Sequence, residues 1–218
     1  MTAPGDERKK AVIKVGDGRG FLARPSDEGE TLIITAAHCL PFFPPCLSFS
    51  GPEERFYPSL LGRLGSNASV GARCRFVDPI GDIAILGRPD DQFFSTQELN
   101  VYDGLVDEVA PFSVSDAPLD GTAWMLSLDG HWFRCKIKRV FAWGPIWTSE
   151  AENIVGGMSG SPIVADDGSA IGIVCTGDGS EDSSQDDEKS TEGGPDPVLS
   201  LNLPGWFWID RFLQGPLS

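Results

Sequence analysis

The chain has 218 residues, 40% of them hydrophobic, with 17 lysines and arginines against 32 aspartates and glutamates, for a formal charge of −15. That length can bury a sizeable core, and the charge argues against nucleic acid or an anionic membrane as partners. No run of about 18 apolar residues occurs, so no transmembrane helix is expected.

In chain order, Met1 to Lys10 is polar and charged and no apolar core follows it, so it does not read as a secretory signal. Short apolar runs then alternate with turns rich in Gly, Pro, Asp and Ser: 12–15, 20–23, 32–35, 73–77, 83–86, 122–128, 132–140, 161–165 and 170–176. Such spacing predicts an all-β sandwich or barrel. Gly16-Asp17-Gly18-Arg19-Gly20 has the glycines of a phosphate loop, but no Lys-Ser/Thr pair or helix follows, and it reads as a β-turn. His131, in Asp129-Gly130-His131-Trp132, reads as a hairpin-tip residue. The stretch 178–196 holds eight carboxylates against one lysine. Its middle, Ser180 to Pro195, has too few apolar residues to offset its own ordering entropy, so a mobile loop is expected. Helical periodicity is nearly absent until the end, where Pro204 precedes apolar residues at 206, 209, 212 and 213 that suit one buried face.

The five cysteines, Cys39, Cys46, Cys74, Cys135 and Cys175, are odd in number and widely spaced. With no signal segment they predict reduced thiols in a cytoplasmic protein. No CxxC pair occurs and there are only two histidines, so no zinc is expected. The aspartates of 178–188 lack the ordered spacing of a calcium loop. No metal and no cofactor are expected.

Three short strings remain that carry chemistry. Thr35-Ala36-Ala37-His38-Cys39 puts a histidine at a strand end, Gly81-Asp82-Ile83-Ala84-Ile85-Leu86 an aspartate at the start of an apolar strand, and Gly156-Gly157-Met158-Ser159-Gly160-Ser161-Pro162 a serine in a glycine-rich turn. A serine hydroxyl is a weak nucleophile and needs a base within hydrogen-bond reach. His38 is the candidate for that base, and Asp82 for the carboxylate that fixes its tautomer. Asp78 competes with Asp82, but it precedes Pro79 and looks like a turn residue.

In this order the strings resemble those of the trypsin-like, chymotrypsin-fold serine peptidases, closest to bacterial intracellular and HtrA-like members. Gly18-Arg19-Gly20-Phe21-Leu22 with Thr31-Leu32-Ile33-Ile34 resembles the hairpin before the family's histidine, and 162–164 with 170–174 resembles the strands behind its serine. The resemblance implies two six-stranded antiparallel β-barrels and a C-terminal helix. Residues 1–110 would form the first barrel with His38 and Asp82, 111–203 the second with Ser159, and 204–218 the helix, with the crossover near 107–118. It further implies catalysis by His38, Asp82 and Ser159, an oxyanion hole of the Gly157 and Ser159 N–H groups, and a substrate pocket at Asn153, Thr176 and Gly177. The implied partner is a protein or peptide substrate, and regulation by an activating protein partner fits a peptidase that works among its host's own proteins. Two departures stand out. Met158 occupies the place of an aspartate that pairs with a new N-terminus in zymogen-activated members, and a thioether is expected to do little to fix that turn. Cys175 occupies the place of a serine that supports the aspartate. The alternative reading is a catalytically impaired trypsin-fold protein that acts as a protein-binding module.

Overall fold

The computed structural model describes residues 3–25, 29–45, 53–92, 94–139, 146–149, 154–175, 198–199 and 203–208. A four-residue helix, α1 (Asp6–Lys9), precedes the first hairpin, β1 (Val12–Val15) and β2 (Gly18–Arg24), joined by the two-residue turn Gly16-Asp17. Four further strands follow: β3 (Leu32–Thr35), β4 (Phe56–Arg63), β5 (Val70–Asp78) and β6 (Ile83–Gly87). Antiparallel pairing runs β1-β4-β5-β6-β3-β2, and β1 also pairs β2, so these six strands close into a barrel. Every residue of β3 and of β6 is buried, which explains why both read as unbroken apolar runs rather than as alternating strands.

The helix α2 (Thr96–Val106) comes next and then β7 (Phe112–Ser113), which pairs parallel with β2. One residue later Val114 bridges Ala170 in the second sheet, so the connection is bonded to both halves of the molecule. The second sheet contains β8 (Asp120–Leu126), β9 (Trp132–Arg139), β10 (Ile146–Ser149), β11 (Pro162–Ala165), β12 (Ala170–Ile173) and β13 (Val198–Leu199), in the order β10-β9-β8-β11-β12-β13. The mostly antiparallel, two-unit architecture is the one expected. The larger apolar cluster spans both sheets: Leu126, Val164 and Ile173 of the second share it with Ile33, Ile85 and Leu86 of the first. A smaller cluster lies within the second half, around Met125, Ile137, Met158 and Ile163.

Two features differ from the sequence expectations. α2 lies well before the end of the chain, where helical periodicity was not expected. Ser95 and Glu98 form a capping box at its start, the Glu98 N–H donating to Ser95 Oγ at 3.3 Å and the Ser95 N–H to Glu98 Oε2 at 2.9 Å. Leu99, Tyr102, Leu105 and Val106 fill its buried face. The pattern is short and interrupted by Asn100, Asp103 and Gly104, which hides it among turn residues. At the other end, the described part of 204–218 is a 3₁₀ turn, Gly205–Trp208. It buries Phe207 (1% exposed) and leaves Trp206 at 46%, the reverse of the face expected; residues 209–218 lie outside the described set.

Candidate active site

After β3 the backbone stays extended at Ala36, which with Ala37 is wholly buried. The chain then turns through one 3₁₀ turn, Ala37–Cys39, which presents His38 at the barrel rim with its side chain 42% exposed. Asp82, just before β6, meets it with both oxygens. The backbone N–H of His38 donates to Oδ1 at 2.9 Å, and the ring Nδ1 lies 2.8 Å from Oδ2. A carboxylate only accepts, so Nδ1 carries the proton and the neutral ring has its lone pair on Nε2. The Ala37 N–H also donates to the Asp82 carbonyl at 3.1 Å. Asp82 holds this position with φ at 48°, the one non-glycine residue in the left-handed region among the described residues. Such backbone costs about 1–3 kcal/mol and persists where its surroundings over-determine it.

Asp78 is not at this site. Its Oδ1 accepts from the Ile80 N–H at 3.0 Å, closing a local turn. The electrostatics of the His38–Asp82 pair are mutual. Hydrogen bonding to Asp82 raises the His38 pKa well above its ordinary 6.5. Burial acts to raise the Asp82 carboxyl, but bonds from the His38 ring and backbone outweigh it, and the net shift is below 3.8. Cys175 adds to the grip on Asp82, its Sγ lying 3.9 Å from the Asp82 carbonyl oxygen. It therefore stands against the aspartate, where the supporting serine was expected, and its thiol is a weaker donor.

Ser159 is delivered from the second half of the molecule. Its carbonyl oxygen accepts the Arg19 N–H of β2 at 2.7 Å and lies 3.7 Å from Cys39 Sγ, so the serine backbone packs beside the neighbour of His38. Gly160 then donates to the Val174 carbonyl at 2.7 Å. A Cβ on Gly160 would lie 1.9 Å from the Arg19 carbonyl oxygen, and its φ is +81°, so no other residue fits here. Upstream, the Met158 N–H donates to the Val155 carbonyl at 3.2 Å, closing a turn with Gly157 at φ +88° in its third position. That torsion is the mark of a type II turn and favours glycine.

Met158 corrects one expectation. Its side chain is fully buried among Met125, Ile137, Ile163, Ile171 and Val174. Burying a methionine stabilises by about 1.5–3 kcal/mol, so the thioether anchors this turn from beneath. Sequence reasoning also missed Arg19 and Thr35. Arg19 is 5% exposed and Thr35 wholly buried, and the Thr35 hydroxyl donates to the Arg19 carbonyl at 2.7 Å. The available signal was one arginine within the otherwise small and apolar run Gly18–Leu22.

Asn153, Thr176 and Gly177, the expected pocket residues, lie outside the described residues, as do Cys46 and the acidic stretch 178–196. His131 lies just before β9, where its N–H donates to Ser127 Oγ at 2.9 Å. Among the described residues no group of three or more His, Cys, Asp and Glu side chains converges as metal ligands would.

No protein-family description and no curated protein matches the chain. Solved structures do. The serine protease domain of the Sesbania mosaic virus polyprotein is similar over 96% of this chain and 93% of that one, with a TM-score of 0.52 at 14% identity. The MamO protease domain from Magnetospirillum magneticum covers 94% of this chain, and 97% of that chain is covered, with a TM-score of 0.49 at 14% identity. With its closed first barrel, its second six-stranded sheet and this likeness to the viral domain, the chain has the trypsin-like serine peptidase fold.

Proposed function

We propose that the chain is a serine endopeptidase that hydrolyses peptide bonds of protein substrates through an acyl-enzyme on Ser159. The observation that carries this reading is the two-oxygen hold of Asp82 on His38, which leaves Nε2 as the basic ring nitrogen. In the first half-reaction Ser159 Oγ attacks the substrate carbonyl carbon while His38 Nε2 takes the hydroxyl proton. His38 then gives that proton to the leaving amine as the peptide C–N bond breaks. In the second half, water attacks the ester, His38 again accepts and returns a proton, and Ser159 is released with the new carboxyl product.

Asp82 keeps its charge throughout and stabilises the imidazolium. The N–H groups of Gly157 and Ser159 receive the developing oxyanion, and the left-handed torsion of Gly157 supports that assignment. Asn153, Thr176 and Gly177 belong to the proposal as the substrate pocket. Burial of Met158 supports a turn that is set without any ion pair to a newly cut N-terminus. What supports a reducing, cytoplasmic setting is that Cys39, Cys74, Cys135 and Cys175 are all buried free thiols.

The test is labelling of purified protein by a fluorophosphonate probe. Wild type is expected to label, and Ser159→Ala and His38→Ala are expected not to. A folded wild type that stays unlabelled would overturn the reading of a pre-formed active site and leave two accounts: the binding module, or a peptidase whose site is assembled only by a protein partner.

A further inference from the structure

Arg19 is a cation in a place that charges avoid. It is 5% exposed, and burial pulls its pKa below the ordinary arginine value. Among the described residues no carboxylate pairs with it. Its guanidinium instead donates to main-chain carbonyls of the second half: Nη1 to Leu126 at 2.8 Å and to Ser127 at 3.1 Å, and Nη2 to Ser127 at 3.1 Å. A buried charge compensated only by dipoles is expensive, and an aliphatic side chain would fill the same volume without that cost.

The backbone of the same residue is equally committed. Its N–H donates to the Ser159 carbonyl at 2.7 Å, and its carbonyl accepts from Thr35 Oγ1 at 2.7 Å and lies against Gly160. Leu126 and Ser127 lead into the turn between β8 and β9 that carries Leu128, and Leu128 Cδ2 comes within 3.7 Å of where a Cβ on Gly157 would sit. One residue of the first barrel thus touches the serine loop with its main chain and the hairpin beside Gly157 with its side chain.

We infer that Arg19 is a positioning residue for Ser159: its main chain sets the serine loop, and its guanidinium fork ties to that loop the hairpin whose Leu128 lies beside Gly157. The inference rests on the reading of Ser159 as nucleophile, but its geometric content does not. The planar fork spans two successive carbonyls, which the point charge of a lysine cannot reproduce. Displacing a reacting group by about 1 Å can cost about 10²-fold in rate, and that is the loss expected on removing the fork.

Arg19→Met and Arg19→Lys are compared with wild type and with Leu22→Ala, a wholly buried neighbour on the same strand. Backbone hydrogen exchange over 126–131 and 157–161 reads the geometry without any activity, and fluorophosphonate labelling rate and the kcat-against-KM split read the chemistry. Arg19→Met is expected to lose protection in both segments and about 10²-fold in labelling rate, with kcat falling and KM little changed. Leu22→Ala is expected to lower Tm without selectively loosening either segment. Arg19→Lys, which retains the charge and keeps the test valid should the methionine variant not fold, is expected to show an intermediate loss. In Arg19→Ala, added methylguanidinium is expected to restore part of the rate. Wild-type exchange in both segments of the folded Met or Lys variant overturns the inference, as does a wild-type labelling rate. An unlabelled wild type whose Arg19 variants still loosen both segments sinks the reading of a pre-formed peptidase site and leaves the positioning role standing.

Discussion

Asp82 Oδ1 takes the main-chain N–H of His38 while Asp82 Oδ2 takes its ring Nδ1, at 2.9 and 2.8 Å. The aspartate therefore orients the backbone that presents the imidazole as well as the imidazole. Its own torsion, at φ 48°, is held in turn by Ala37 and Cys175 bonding to its carbonyl.

Asp82 stabilises the charged ring, so His38 loses its proton above its ordinary 6.5. The rising limb of kcat/KM should therefore lie on the alkaline side of pH 6.5. Asp82→Asn should bring that limb back toward the ordinary value and lower kcat by about 10⁴. Asp78→Asn should leave both unchanged, since Asp78 closes only its own turn.

Stability should follow the same pair with the sign fixed by linkage. The raised His38 pKa contributes stability that is complete below pH 6.5 and fades as pH climbs through the raised value. The lowered Asp82 pKa contributes above 3.8 and fades as pH falls through its depressed value. The gap in Tm between wild type and Asp82→Asn should accordingly be widest between those limits and narrow on either side, which a pH series of thermal melts would show.

The two glycines of the serine loop should respond differently to alanine. Gly160→Ala drives a Cβ to within 1.9 Å of a main-chain oxygen and should prevent native folding. Gly157→Ala meets nothing nearer than Leu128 Cδ2 at 3.7 Å and suffers only the torsion. It should fold, with a penalty of about 1–3 kcal/mol, yet lose about 10²–10³ in acylation rate as the turn relaxes and withdraws its N–H. Melts and labelling rates on the two variants separate these effects.

Met158 should behave as a core residue and not as a site residue. Met158→Leu should cost less than about 1.5 kcal/mol, and Met158→Ala about 2–5 kcal/mol with the turn loosened. Met158→Asp would bury a carboxylate in an apolar cluster and should unfold the second half. Denaturant unfolding of the three variants checks the ranking.

The parts of the fold legible in the sequence were those written in contiguous residues. β3 and β6 are unbroken apolar runs, and the strings ending at His38 and starting at Asp82 sit at their ends. The choice of Asp82 over Asp78 was also local, because Pro79 marks the turn. β4 was harder to see, since Pro58 has no N–H to donate and the register shifts between Tyr57 and Leu61. α2 was hidden by its length. The roles of Met158 and Arg19 could not be read locally, because each depends on residues brought from the other side of the fold: Met158 on Ile171 and Val174, Arg19 on Leu126 and Ser127.

The closed barrel has a consequence for synthesis. All six of its strands lie within residues 12–87, so every ladder partner it needs has been made before β8 begins. Nascent domains fold from the N-terminus as they emerge, so the ladders of this barrel can form while the ribosome is still making the second sheet, and its apolar cluster is completed when Leu126, Val164 and Ile173 arrive. His38 and Asp82 would then be in place early, without a nucleophile. Gly160 and Asp82, however, are braced by Val174 and Cys175. Under the proposed function, a growing chain stays harmless to itself and to the translation machinery until those late residues have been added.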